Sequence, residues 1–204
     1  MSDALRAALD AVEARSPRYA DDLAAYVRIP SVSTDAAHAP DVEAAARWTA
    51  ERLTRAGFPD VRVMPTGGHP VVVARWHHDP SAPTVVVYGH YDVQPPEPLE
   101  LWDTPPFEPQ VKDGKLYGRG ASDDKAGVLT AIQAVEATAA AGGVPPVNVT
   151  FLIEGEEEVG SPNLVPFIRQ NKELFAADLA ISADGGIFDV GVPSLTVGSR
   201  GLTG

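Results

Sequence analysis

"VNVTFLIEGEEEVGS", residues 147–161, is the stretch on which the fold turns. Val147, Val149, Phe151, Leu152 and Ile153 make an apolar, β-branched run that reads as a strand. It breaks at once into Glu154, Glu156, Glu157 and Glu158. The run is nearly continuous, as is "VVVY" at 85–88, and such runs are expected of strands covered on both faces. Two like charges about 4 Å apart repel by roughly 1 kcal/mol in water and roughly 4 kcal/mol at an effective dielectric of 20. Either the acids after this strand are fully solvated or a cation sits among them.

Working outward, strands alternate with helices. Residues 3–28 read as one or two helices, broken near Ser16-Pro17, and 40–56 as a helix ended by Gly57. Strands are expected at 61–64, 70–76 and 84–90. The proline-rich stretch 94–109 reads as an irregular loop, followed by a hairpin turning at Asp113-Gly114. An Ala-rich helix over 124–141 precedes the strand at 147–153. A helix near 162–175 and strands at 178–183 and 194–198 complete the pattern. This alternation indicates an α/β fold, with a mixed, largely parallel sheet and helices on both faces.

Composition narrows the chemistry. The chain has 204 residues, a net charge of −12 and no cysteine, so disulfides and thiolate metal sites are excluded. Any metal must be held by His, Asp, Glu or backbone oxygen. The acidic balance argues against nucleic acid as a partner, since phosphate binding needs a basic surface. No apolar run approaches the ~20 residues needed to span a bilayer. The N-terminal "MSDALRAALDAVEAR" is charged and amphipathic, unlike a signal peptide, and the protein is read as cytoplasmic.

In open α/β sheets, ligands gather beyond the carboxyl ends of the strands. After strand 84–88 come His90 and Asp92, in "GHYD". After 147–153 comes the Glu run. After 178–183 comes Asp184, in "ISADGG". Asp123 and Asp124 open the Ala-rich helix. Each has a bland reading taken singly: a loop histidine, a solvated acidic turn, a helix N-cap pair, turn chemistry before Gly185-Gly186. Their combination favours a pocket. The H-x-D spacing suits a metal-bound imidazole that gives its other N–H to Asp92, fixing the tautomer and raising ligand basicity. The adjacent Glu157 and Glu158 suit divided labour between proton transfer and coordination.

"GHYDVQPPEPLELWDTPPFEP", "DGKLYGRGASDDKAG", "EGEEEVGS" and "ISAD" together resemble the zinc-dependent metallopeptidase family of carnosinases, aminoacylases, desuccinylases and carboxypeptidase G. The resemblance runs over nearly the whole chain. "HYDVQPPEP" and the "DDK" form are most similar to the dipeptidase and carnosinase branch. The resemblance implies two zinc ions, with manganese or cobalt able to replace zinc in such O/N sites. His90 and Asp184 would bind the first ion, with Asp92 behind His90. Asp123 would bridge both ions and Glu158 would bind the second, with Glu157 as general base. A cis peptide is implied after Asp123. Glu154 and Glu156 receive no role and are expected to be solvated or behind the ligands.

The same resemblance implies a hydrolase of a small peptide, most simply a dipeptide. The alternatives are an N-acyl amino acid deacylase and a non-catalytic metal-binding relative. The family supplies a further histidine to the second ion, and His38, His69, His77 and His78 do not fit that place. Residues 1–204 are accordingly expected to be the N-terminal part of a catalytic domain, without the lid or dimerisation domain and the C-terminal part of the catalytic sheet. On that expectation they are poorly active alone, and the full-length protein is a homodimer.

Overall fold

The computed structural model describes residues 1–192, 194–198 and 201. Helix α1 spans Asp3–Val27 and α2 Ala39–Arg55. Strands β1 (Asp60–Met64), β2 (Val71–Trp76) and β3 (Thr84–His90) follow. A hairpin of β4 (Gln110–Lys112) and β5 (Lys115–Tyr117) precedes α3 (Lys125–Gly142). The chain continues through β6 (Asn148–Glu154), α4 (Leu164–Gln170) and β7 (Leu179–Ser182).

The main sheet has the order β1-β2-β6-β3-β7. It is mixed: β1 and β2 run antiparallel to their neighbours, whereas β6, β3 and β7 are parallel to one another. The "VTFLI" strand lies at the centre of this sheet, and every residue of β6 is buried. Alternation along the strands builds two cores. Val72, Ala74, Val87, Val149, Phe151 and Ile153 face the side covered by α2 and α3. Val71, Val73, Val86 and Leu152 face the other side, where Phe167 of α4 packs with Leu164 and Ile168. The strand runs lack polar alternation because both faces are covered.

Two expectations are corrected. The first helix is not broken at Ser16-Pro17 but runs through Pro17. A proline costs a helix interior roughly 3 kcal/mol. Buried Tyr19, Tyr26 and Val27, beyond the proline, hold the second half in register. The expected strand at 194–198 is absent, and Leu195 and Val197 are exposed. Apolar β-branched residues need a neighbouring ladder to make a strand, and among the described residues none is offered there. Residues 199–200 and 202–204 of "SLTVGSRGLTG" lie outside the described residues. Elsewhere the turns follow their chemistry. Asp113 and Gly114 both adopt positive φ in the β4–β5 hairpin, and Gly143 ends α3 in the left-handed region.

Three helices are stapled by one buried guanidinium. Arg52 of α2 donates to Asp22 of α1 (2.8 Å) and to Glu136 of α3 (2.7 Å), and its side chain is fully buried. No helix among the described residues is long and apolar enough to cross a membrane.

Candidate metal centre

The parallel strands β3, β6 and β7 bring their carboxyl ends to one edge of the sheet, where α3 begins. His90 closes β3 opposite Glu154 in the ladder to β6. Its imidazole is fully buried. Nδ1 lies 3.0 Å from the backbone oxygen of Asp92 and 3.3 Å from its Oδ1. This fixes the proton on Nδ1 and turns the Nε2 lone pair outward. Nε2 lies 3.1 Å from Asp123 Oδ1 and 4.0 Å from Asp184 Oδ2.

An imidazole lone pair and two carboxylates therefore converge with no donor among them unless His90 gains a second proton. Burial by itself lowers the affinity of His90 for that proton. The bond to Asp92, with the Asp92, Asp124 and Glu157 charges, outweighs it and raises the pKa to about 10. Donor atoms of His90, Asp123 and Asp184 lie within 4.8 Å of one another, as do those of His90, Glu157 and Glu158. One histidine nitrogen and hard carboxylate oxygens are the donor set of zinc, manganese or cobalt, so the residues present fit a divalent ion. The side chain of Asp123 is 65% exposed and that of Asp184 38%, so this side of the site is open to solvent.

All six residues singled out in the sequence stand at this edge. The two groups of three meet at His90; among the described residues no group of three joins Asp123 directly to Glu158. Neither group contains a second histidine, and none of His38, His69, His77 and His78 is buried. The Asp123-Asp124 peptide is cis. Asp124 stands at the N-cap position of α3, but its side chain makes no capping bond, and Oδ2 accepts instead from the His90 amide at 3.2 Å. Burial, with the Asp184 and Asp123 charges, lifts its pKa to about 7 against the pull of His90. Lys125 turns away from these acids. Its Nζ donates to Tyr26 O (3.1 Å) and Ile29 O (2.7 Å), tying the end of α1 to the start of α3.

Asp92 does more than orient the imidazole, for which its backbone carbonyl is the nearer acceptor. Its fully buried carboxylate receives the Glu157 amide on Oδ1 (3.2 Å) and the Glu158 amide on Oδ2 (3.1 Å). Ser33 donates a further bond to Oδ2 at 2.6 Å. One carboxylate thus holds the first two amides of the short 3-10 turn Glu157–Val159, a favourable end for an anion. Glu154 and Glu156 are not solvated. Glu154 accepts from Tyr88 (2.7 Å) and Ser161 (2.8 Å), and Glu156 accepts from Asn163 (2.9 Å), so both are buried and bonded beneath the turn. Ser33, Tyr88, Ser161 and Asn163 carry no spacing signal in the sequence. Gln94 carries one such signal, its place inside "HYDVQPPEP" two residues after Asp92.

Gly127, in the first turn of α3, lets that helix approach the end of β7. A Cβ there would overlap the Asp124 carboxylate and the Ala183 carbonyl. Helix propensity alone predicts that Gly127→Ala stabilises the protein by roughly 1 kcal/mol. The backbone overlap reverses the sign, and we expect a loss of about 1–3 kcal/mol in urea unfolding. Unchanged or increased stability would show that α3 and β7 do not meet this closely.

Residues 86–198, more than half of the chain, match the model of peptidase family M20/M25/M40. The chain belongs to this family. Among M20/M25/M40 relatives, it is 33% identical over 217 residues to the Cys-Gly metallodipeptidase DUG1 of Saccharomyces cerevisiae, covering 98% of this chain and 45% of that protein. It is 41% identical over 146 residues to the Beta-Ala-His dipeptidase of Rattus norvegicus, covering 71% of this chain and 29% of that one. The solved structure of the dipeptidase Dug1p from Saccharomyces cerevisiae superposes with a TM-score of 0.83 at 33% identity, over 90% of this chain and 42% of that chain. The chain spans less than half the length of these relatives.

Proposed function

We propose that this protein hydrolyses the amide bond of dipeptides with the help of bound divalent metal. The observation that carries the reading is the convergence of the buried His90 Nε2 with Asp123 and Asp184 beside the Glu157-Glu158 turn. The relatives named as dipeptidases support the substrate class. His90, Asp123 and Asp184 would hold one ion, and Glu158 with Asp123 a second. Bound there, zinc, manganese or cobalt would supply Lewis-acid polarisation of the scissile carbonyl and a lowered pKa for water. Glu157 takes a proton from the attacking water and returns it to the leaving amine. It suits that task because its amide is pinned by Asp92 while, among the described residues, its carboxylate accepts no hydrogen bond. With no second histidine near Asp123 and Glu158, we propose that the 204 residues alone hold the second ion weakly and turn over slowly.

The test is a panel of dipeptides and N-acyl amino acids, assayed on the protein at its full cellular length with added zinc, cobalt or manganese. Metal-dependent cleavage of dipeptides is expected. A preference for N-acyl amino acids would move the reading to a deacylase. Purified protein without stoichiometric divalent ion would end the metal-centre reading.

A further inference from the structure

The turn after β6 presents two adjacent carboxylates at one site, and nothing in their spacing says which should coordinate and which should move a proton. The structure distinguishes them through a third residue. Gln94, two residues beyond Asp92, places Nε2 2.6 Å from Glu158 Oε2. An ionised carboxylate only accepts, so the amide must present its NH₂ group, and this contact fixes which way the Gln94 amide faces. Glu158 is thus held at both ends: its amide by Asp92 at 3.1 Å, its carboxylate by Gln94. Among the described residues, Glu157 is held at its amide only.

We infer that Gln94 is a positioning residue that locks the Glu158 carboxylate for metal coordination and so leaves Glu157 as the mobile proton carrier. The inference rests on the metal-centre reading above. A carboxylate with one oxygen bonded to a donor loses rotation about its last bond and keeps its remaining lone pairs for an ion. Outer partners of metal ligands are worth roughly 10–100-fold in metal affinity. Glu157, with no such partner among the described residues, is free to swing between water and leaving group. The geometry therefore ties "HYDVQ" and "EEEVG" at two points: Asp92 sets the position of the turn, and Gln94 sets the rotamer of one of its acids.

Gln94 is exposed, so Gln94→Leu keeps its size, removes the donor and threatens no core packing. The experiment titrates the protein at its full cellular length with cobalt(II), following the visible absorption of the bound ion, for wild type, Gln94→Leu, Glu158→Gln and the double variant. We expect Gln94→Leu to weaken cobalt binding by about 10-fold or more and to change the band shape, with the metal-free unfolding midpoint unchanged. In the Glu158→Gln background, Gln94→Leu should have no further effect, because Gln94 acts through that carboxylate. Equal affinity and spectrum in wild type and Gln94→Leu would overturn the assignment while leaving the metal centre intact. Additive losses in the double variant would also overturn it, since Gln94 would then act by another route. No cobalt binding by wild type would defeat the metal-centre reading itself and this inference with it.

Discussion

On the proposed reading, Glu157→Gln is expected to lower dipeptide turnover by about 10²–10⁴-fold and to leave the metal content unchanged. The amide is isosteric with the carboxylate, so the backbone bond from Glu157 N to Asp92 Oδ1 survives, and with it the turn. What is lost is the ability to accept and return a proton. Glu158→Gln provides the contrast, because a ligand change should weaken metal binding before it alters a proton-transfer step. Steady-state rates with stoichiometric metal analysis separate the two. A Glu157→Gln protein that loses its metal would place Glu157 among the ligands. One that keeps full rate would remove it from the chemistry.

The second large effect concerns stability. Arg52→Ala should cost roughly 3–5 kcal/mol, because removing one partner of a buried ion pair strands the others. Asp22 and Glu136 have only 12% and 10% of their side chains exposed, so neither is well hydrated once the guanidinium is gone. At roughly 2–4 °C per kcal/mol for a chain of this size, the melting temperature should fall by roughly 6–20 °C. Replacing all three residues by apolar side chains of similar volume should restore much of the loss, since the cost lies in unpaired buried charge and not in the missing pair. A loss below about 1 kcal/mol in Arg52→Ala would show that water reaches the two acids. The staple also bears on the site, because α3 carries Asp123 and Asp124 at its start.

The two acidic pairs teach different lessons about reading a sequence. Asp123-Asp124 has the form of an N-cap, and position supports that reading because α3 begins at Lys125. Only the approach of β3, which brings the His90 amide to Asp124 Oδ2, shows that the side chain is used elsewhere. The run Glu154–Glu158 has the form of a solvated turn or a metal site. It is partly neither, since Glu154 and Glu156 are buried anchors for the turn that presents the other two. Burial of a carboxylate depends on which donors come to meet it, and a run of like residues conceals that.

By itself the sequence determined the alternation of strands and helices, the coverage of "VTFLI" on both faces, and the placing of His90, Asp92, the Glu run and Asp184 after the carboxyl ends of strands. Those follow from local periodicity and from the rule that ligands gather beyond the carboxyl ends of parallel strands, whereas one centre that also takes in Asp123, Glu157 and Glu158 is what the family resemblance implies. Tertiary structure alone decided that the proline in α1 is tolerated, that 194–198 forms no strand, that Asp92 holds the Glu157-Glu158 turn and that Gln94 singles out Glu158. Each of these depends on a partner or neighbour brought close by packing, and the geometry of a hydrogen bond is set by three-dimensional approach rather than by position along the chain.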